Sequence, residues 1–246
     1  MTNPENKTKT MWTRVTQGLA VAAIWGLLWY FASKIPTVGN IVRGILTVYG
    51  IGQLGVGALG FFTGEFNHGW RGMKQSVQVF LGLMVFDERN WFKGFIQGLL
   101  RHTWEMPQTL IGHAYSQFRN AFCGVTRVDR LGGATYVIKE KNRYENGISL
   151  GNYLNINLWS VIKDDFETYA KKEPLLLHEF GHSFDSRLFG WLYLFVIGIP
   201  SLFSAMGKGN HNVFWTEKRA NRKVSRYATK NLAVNWKEFE DQYPTA

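Results

Sequence analysis

The sequence predicts an α+β protein that is mainly helical, with a small β-hairpin or sheet and an apolar helical pair at its N-terminal end. Two observations favour this class. Residues 15–33 and 44–64 are long uncharged runs, which is typical of helices in an apolar setting. Residues 134–139 and 148–158 are short runs with strand character, separated by a charged turn. Helices therefore account for most of the chain, and the strands form one small unit.

Length and composition divide the chain and limit its partners. With 246 residues, an N-terminal region, residues 1–64, and one domain, residues 65–246, are the expected division. The net charge of +10 suits an anionic membrane surface or an acidic partner. No phosphate-binding loop, zinc-finger spacing or basic-aromatic motif is present, so nucleic acid is not an expected partner. Cys123 is the single cysteine, so an internal disulfide is excluded.

The N-terminal region is expected to associate with a membrane. Residues 15–33 hold 19 uncharged residues, close to the ~20 that a helix needs to cross a bilayer. A second, glycine-rich run at residues 45–62 is a weaker candidate, and its glycines favour close helix packing. Lys7, Lys9 and Arg14 precede the first run and favour a cytoplasmic N-terminus if it inserts. The alternative is a soluble protein whose N-terminal helices pack on the following domain.

The next elements are expected to be amphipathic helices and then a hairpin. Residues 65–120 alternate aromatic, aliphatic and basic side chains, which is typical of packing helices. His68, His102 and His113 lie there without the spacing of metal ligands and are expected to be structural or exposed. Residues 134–139 and 148–158 are expected to form the strands.

Residues 178–182 read His-Glu-Phe-Gly-His, the H-E-x-x-H pattern of zinc peptidases. On a helix, His178 and His182 lie one turn apart on one face, so both imidazoles can bind one Zn²⁺ ion. Glu179 then lies beside the metal-bound water, whose pKa zinc lowers to about 7, and can accept its proton. Pro174 suits the first turn of this helix and Gly190 suits its end. The motif therefore predicts a zinc site on a buried helix.

A third protein ligand is expected on a second helix, because water occupies one position of a catalytic zinc site. Residues 212–231 contain no proline or glycine, and Glu217 and Asn221 lie one turn apart on them. This pattern resembles the gluzincin peptidases, and the resemblance implies that Glu217 is the ligand and that Asn221 supports a ligand histidine. Asn stands where that family usually has Asp, so the support carries no charge. Asp185 is expected at the surface or as a supporting group.

Further motifs extend the resemblance along the chain. In order they are G-G-A-T at 132–135, N-G-I-S-L-G-N-Y at 146–153, H-E-F-G-H at 178–182, G-I-P-S at 198–201 and W-T-E with A-N at 215–221. The series resembles the C-terminal domains of Bacteroidetes Rhs-type polymorphic-toxin proteins, over residues 90–244. The resemblance implies a zinc metallopeptidase that acts on a protein or peptide. It also implies an effector exported by a bacterial secretion system and paired with an immunity protein.

The predicted reaction is zinc-dependent hydrolysis of peptide bonds. Glu179 is expected to deprotonate the water and later to protonate the leaving amine. His211 and Tyr227 are the candidates for stabilising the oxyanion. The resemblance implies that the strand ahead of the metal helix pairs with an extended peptide.

Two other functions stay open. Residues 188–207 form a third uncharged run, which is long enough to span a membrane. A span at this place favours a membrane-embedded housekeeping zinc peptidase. The proline and glycines of this run favour instead a buried helix and loop in a globular site. The other possibility is a membrane-acting pore-former or scaffold with a degenerate metal site, although the intact motif argues against degeneracy.

Overall fold

A computed structural model describes residues 4–246, with side chains described from residue 11 onward. It confirms a mainly helical α+β fold with one small mixed sheet and apolar helices at the N-terminal end. The side chains of Lys7 and Lys9 lie outside the described residues. The helices are α1 Pro4–Ala32, α2 Val38–Leu81, α3 Trp91–Arg101, α4 Met106–Phe118, α5 Phe166–Ala170, α6 Pro174–Phe189, α7 Ile199–Met206 and α8 Trp215–Leu232. The strands are β1 Arg127–Leu131, β2 Ala134–Lys139, β3 Asn146–Leu150 and β4 Tyr153–Asn157.

Two stretches of the N-terminal helices, Met11–Ala32 and Val38–Met84, are long and apolar enough to cross a membrane. α1 and α2 pack against each other at Gly50 of α2, where an added Cβ would lie 3.2 Å from the ring of Trp25. Most large apolar side chains of α1 and of the first half of α2 face outward. This pattern is compatible with association of the helices with a membrane.

α2 reverses direction at Gly69, so it consists of two arms, residues 38–68 and 70–81. The φ of 58° and ψ of −146° at Gly69 belong to a backbone region that essentially only glycine adopts. The arms lie side by side, since a Cβ added to Gly72 would lie 2.0 Å from the carbonyl oxygen of Gly64. The expected boundary between residues 64 and 65 therefore falls inside α2, next to this turn.

The sheet has the order β1-β2-β4-β3 and differs from the expected hairpin. Residues 148–158 do not form one strand, because Gly151 adopts a φ of 65° and turns the chain between β3 and β4. β4 then returns to pair with β2 in parallel, and β1, which the sequence did not reveal, pairs with β2 on the other side. β3 is consequently an edge strand.

Helices cover both faces of the sheet. Val137 and Tyr153 face α2 and α4, where the hydroxyl of Tyr153 donates to the Val79 carbonyl oxygen. The opposite face carries the main hydrophobic core, in which Tyr136 and Leu154 pack against residues of α6 and α8. The sheet thus lies between α2 and α4 on one face and, on the other, α8 together with α6, which carries the H-E-x-x-H motif.

The expectation of a buried helix and loop at residues 188–207 is wrong. α6 ends at Gly190, a π-helical turn at Leu194–Gly198 follows, and α7 leaves at an angle of 120° to the metal helix. Tyr193 and Ile197 are buried, but no residue of α7 is. The bend lies at Tyr193, shortly after Gly190 with its φ of 51°, whereas Pro200 lies inside the second helical stretch, Leu194–Met206.

Candidate metal centre

α6 presents the two histidines of the motif to the interior. Pro174 occupies its first turn, where the missing N–H has no intrahelical partner to lose. His178 and His182 are both buried, and their rings lie 5.0 Å apart between centroids. Successive positions one helical turn apart therefore place both imidazoles on the face that meets α8.

α8 brings Glu217 to the same place. The two helices approach closely at Gly181, where an added Cβ would lie only 2.5 Å from the carbonyl oxygen of Ala220. Glu217 Oε2 lies 3.2 Å from His178 Nε2 and 3.0 Å from His182 Nε2. One ligand atom from each of the three residues lies within 4.8 Å of the others. This buried group can hold a metal ion.

The ligand atoms are oriented by further hydrogen bonds. His178 Nδ1 donates to Asn221 Oδ1 over 2.7 Å, which turns Nε2 toward the cluster. Asn221 in turn donates to the carbonyl oxygen of Pro244 over 2.9 Å, so the C-terminal segment fixes its amide. The structure thus places Asn221 in contact with His178, the first histidine of the motif.

The second carboxylate oxygen of Glu217 is held by hydroxyl groups. Ser201 and Thr216 donate to Oε1 over 2.6 and 2.7 Å, which leaves Oε2 for the imidazoles. Burial by itself raises the pKa of Glu217, but the hydrogen bonds from His178 and His182 outweigh burial and hold that pKa well below its usual range. Glu217 is therefore an anion in this site.

Glu179 lies against the edge strand β3. The hydroxyl of Ser149 donates to its carboxylate, and the side chain passes directly over Gly147. A Cβ on Gly147 would lie 2.3 Å from Glu179 Oε1, so glycine is required there for the carboxylate to keep its place. Glu179 and the three candidate ligands line one pocket of about 450 Å³.

The two oxyanion candidates lie in different places. His211 lines the pocket, with Nε2 3.7 Å from Glu217 Oε2 and Nδ1 hydrogen-bonded to Ser204 Oγ at 3.1 Å. Tyr227 packs instead against Phe180, on the other side of α6, and its hydroxyl accepts from Arg89. The structure therefore brings His211 to the cluster and does not bring Tyr227 there.

Asp185 is fully buried and is not at the surface. It accepts from Arg219 over 2.6 Å and from Lys223 over 2.5 Å, both on α8. It thus ties α6 to α8 one helical turn past His182, so its expected place at the surface is wrong.

Sequence reasoning did not identify three hydroxyl groups at the site: Ser149, Ser201 and Thr216. A signal for each was nevertheless present, because each falls inside one of the short motifs that the sequence analysis singled out. Serine and threonine are too common for their spacing alone to mark them.

Comparisons of the chain with protein-family models, with curated proteins and with solved structures found no match. Function is therefore inferred from the geometry of the cluster and of its pocket.

Proposed function

We propose that the protein is a zinc-dependent peptidase. The observation that carries this proposal is the buried pair of histidines with Glu217, next to a carboxylate, Glu179, in one pocket. Two His and one Glu is a ligand set of catalytic zinc sites that leave a fourth position open for water. Imidazole nitrogens also favour zinc over magnesium or calcium, which prefer oxygen ligands.

A bound zinc ion would acidify a water molecule and polarise the carbonyl of a substrate. Glu179, positioned by Ser149, is placed to accept a proton in the pocket and to return it to the leaving amine. His211 lies on the pocket wall and is available to donate a hydrogen bond to the oxyanion. In this proposal Glu179 is the general base, and His211 is the hydrogen-bond donor to the oxyanion.

The edge strand β3 supports a polypeptide substrate. Among the residues that the structure describes, it pairs with no strand other than β4, and Gly147 to Leu150 line the pocket. The Ser149 carbonyl oxygen accepts from the Tyr193 hydroxyl, and the rest of this main chain can pair with an extended segment beside Glu179. Apolar residues line most of the remaining wall, including Leu194 and Leu202. A bound segment would therefore be held by main-chain hydrogen bonds and would place apolar side chains in the pocket.

The proposal is tested with Glu179→Gln. We expect this variant to keep about one zinc per chain. Cleavage of a fluorescence-quenched peptide library should fall by at least about 10²-fold, because the base is lost and no ligand is. His178→Ala is the matched variant, and it should lose the zinc as well. A Glu179→Gln protein that cleaves as fast as the wild type would contradict the proposal.

We place this peptidase at a membrane, and the toxin-domain resemblance supports an antibacterial effector with an immunity protein as its inhibitor. The two apolar helical stretches support the membrane placement. Wild type and Glu179→Gln can be expressed in the cytoplasm and in the periplasm of a bacterial host. Growth arrest by the wild type alone fits the effector. Equal arrest by both proteins would indicate a membrane-acting protein that needs no catalysis, and growth with both would contradict the effector.

A further inference from the structure

The bent segment after the metal helix exposes an unusual amount of apolar surface. Eight of its large apolar side chains are between 43% and 75% exposed: Leu188, Trp191, Leu192, Phe195, Ile199, Leu202, Phe203 and Met206. Soluble monomers seldom leave so many such side chains together in water, and patches of this kind mark contacts with a protein or a membrane. The segment therefore requires a covering partner.

This surface is continuous with the candidate membrane helices. Trp191 shares one groove with Phe31, Ile35 and Val38 at the turn between α1 and α2, and a second groove with Ile45 and Val48. These five residues of α1, α2 and the turn between them are themselves exposed apolar residues. Whatever covers the α1–α2 hairpin thus extends over the bent segment.

The ends of the apolar stretches carry basic residues. Lys34 follows α1 in the turn before α2, Arg43 lies near the start of α2, and Lys208 comes two residues after Met206. Lys34 and Lys208 are exposed, and Arg43 is partly buried. Lysine and arginine at the ends of apolar segments suit the headgroup region of a bilayer, which a protein partner would not require.

The same segment forms a wall of the metal pocket. Phe195, Ile199 and Leu202 line the pocket and also belong to the exposed apolar surface. Ser201, between them on α7, donates to Glu217 over 2.6 Å. The exposed apolar surface therefore borders the metal pocket. α7, which belongs to that surface, also holds the candidate ligand Glu217 through Ser201.

We propose that the bent segment is immersed in the lipid bilayer and that the pocket opens to it. The substrate class is then an apolar segment of a membrane-inserted polypeptide. This inference rests on the proposed peptidase function. An extended backbone is costly in lipid unless its polar groups are paired. The edge strand β3 in the pocket can supply part of that pairing, although its Ser149 carbonyl oxygen already accepts from the Tyr193 hydroxyl.

Lipid contact is tested on the full chain in vesicles of phosphatidylcholine and phosphatidylglycerol. In a Cys123→Ser background, a spin label is placed at Phe203→Cys or at Lys237→Cys, an exposed position outside this surface. We expect the first label to be reached by oxygen and shielded from a water-soluble nickel complex, and the second to show the opposite. Equal exposure of both labels to nickel overturns the inference. Shielding of the first label from both reagents also overturns it, because protein and not lipid then covers the surface.

The substrate class is tested with a polypeptide that carries one membrane-spanning segment, compared with a variant in which serines replace its leucines. The inserted form should be cleaved at least about tenfold faster, the ratio that ~1.4 kcal/mol provides. Phe203→Glu with Met206→Glu, neither of which lines the pocket, should reduce that preference and leave cleavage of the water-soluble form unchanged. Faster or equal cleavage of the soluble form overturns the substrate class. If neither form is cleaved, the peptidase function itself fails, and the spin labels still decide whether lipid covers the segment.

Discussion

Gly181 sets the distance between the two helices that carry the candidate ligands. A Cβ at this position would lie 2.5 Å from the carbonyl oxygen and 2.8 Å from the carbonyl carbon of Ala220. These are backbone atoms inside a helix, so they cannot turn aside as the end of a flexible side chain does. The variable position before the second histidine of the motif is therefore constrained here by the approach of α8.

Replacing Gly181 with Ala should separate α6 from α8 and displace Glu217. Overpacking of this kind costs about 1–3 kcal/mol. If the displacement of Glu217 relieves ~1.4 kcal/mol of this packing cost, that amount must be regained when zinc binds, and zinc affinity falls about tenfold. Chelator competition measures the affinity, and thermal unfolding measures the stability. Gly209→Ala, at an open position in the loop before α8, is the control and should change neither. Unchanged zinc affinity in Gly181→Ala would contradict this role.

Asn221 should matter for zinc although it is not a ligand. Its Oδ1 accepts the Nδ1 hydrogen of His178 and so fixes the ring with Nε2 toward the cluster. Loss of such a supporting group typically costs about 10–100-fold in metal affinity, and this is the loss we expect for Asn221→Ala. Asn231→Ala, an exposed change on the same helix, is the control. Equal zinc affinity of the two variants would show that the Asn221 contact does not support the site.

The candidate ligands were accessible from the sequence because they obey helical periodicity. His178 and His182 are one turn apart, and Glu217 lies in the first turn of a second helix that no proline or glycine interrupts. Ser201 was not accessible in this way, because it reaches Glu217 only after the chain bends by 120° at the end of α6. Local spacing carries no information about such a bend.

At the level of elements, glycines explain why the sheet and α2 differ from a simple sequence interpretation. Gly151 divides one strand-like run into β3 and β4, and Gly69 turns one long apolar helix back on itself. At Gly151 the strand-like pattern continues through the turn, so the pattern alone indicated one element. Near Gly69 the change of composition after residue 64 marked a boundary, but it gave no sign that the helix turns back there. The positive φ angle that glycine permits is a property of the tertiary structure and left no separate signal.

The reversal of α2 should depend on glycine at position 69. Nothing lies within 4 Å of a Cβ added there, so the effect of Gly69→Ala would come from the backbone angles alone and should cost about 1–3 kcal/mol. Gly55→Ala is a matched control, because that position is equally open but helical, and alanine should stabilise it by about 0.5–1 kcal/mol. Thermal unfolding in one detergent compares the two. A rise in stability with both variants would mean that α2 continues through Gly69 without reversing.

For the whole molecule, the distribution of apolar surface is the dominant fact. The main core lies between the sheet, α6 and α8, whereas α1, the first arm of α2 and the bent segment place large apolar side chains outward. Water would penalise that outward surface by about 25 cal/mol for each Å². The sheet-and-α8 half resembles a soluble domain in this respect, and the other half resembles a protein that uses lipid as its solvent.

The membrane placement can be tested by putting charges on the outward face of α2. Ile51 and Leu54 are 65% and 64% exposed. If that face meets the bilayer core, Ile51→Arg with Leu54→Arg should oppose insertion by about 2.5–3.5 kcal/mol for each charge. We expect alkaline carbonate to leave the wild type in the membrane pellet and to release the double variant. Asn231→Arg, at an exposed position of α8, controls for added charge, and this variant should stay in the pellet. A wild type that carbonate releases and that is monomeric in plain buffer would show instead that these helices are packing elements of a soluble protein. The double variant would then be at least as soluble as the wild type, because arginine would have replaced apolar groups already in water.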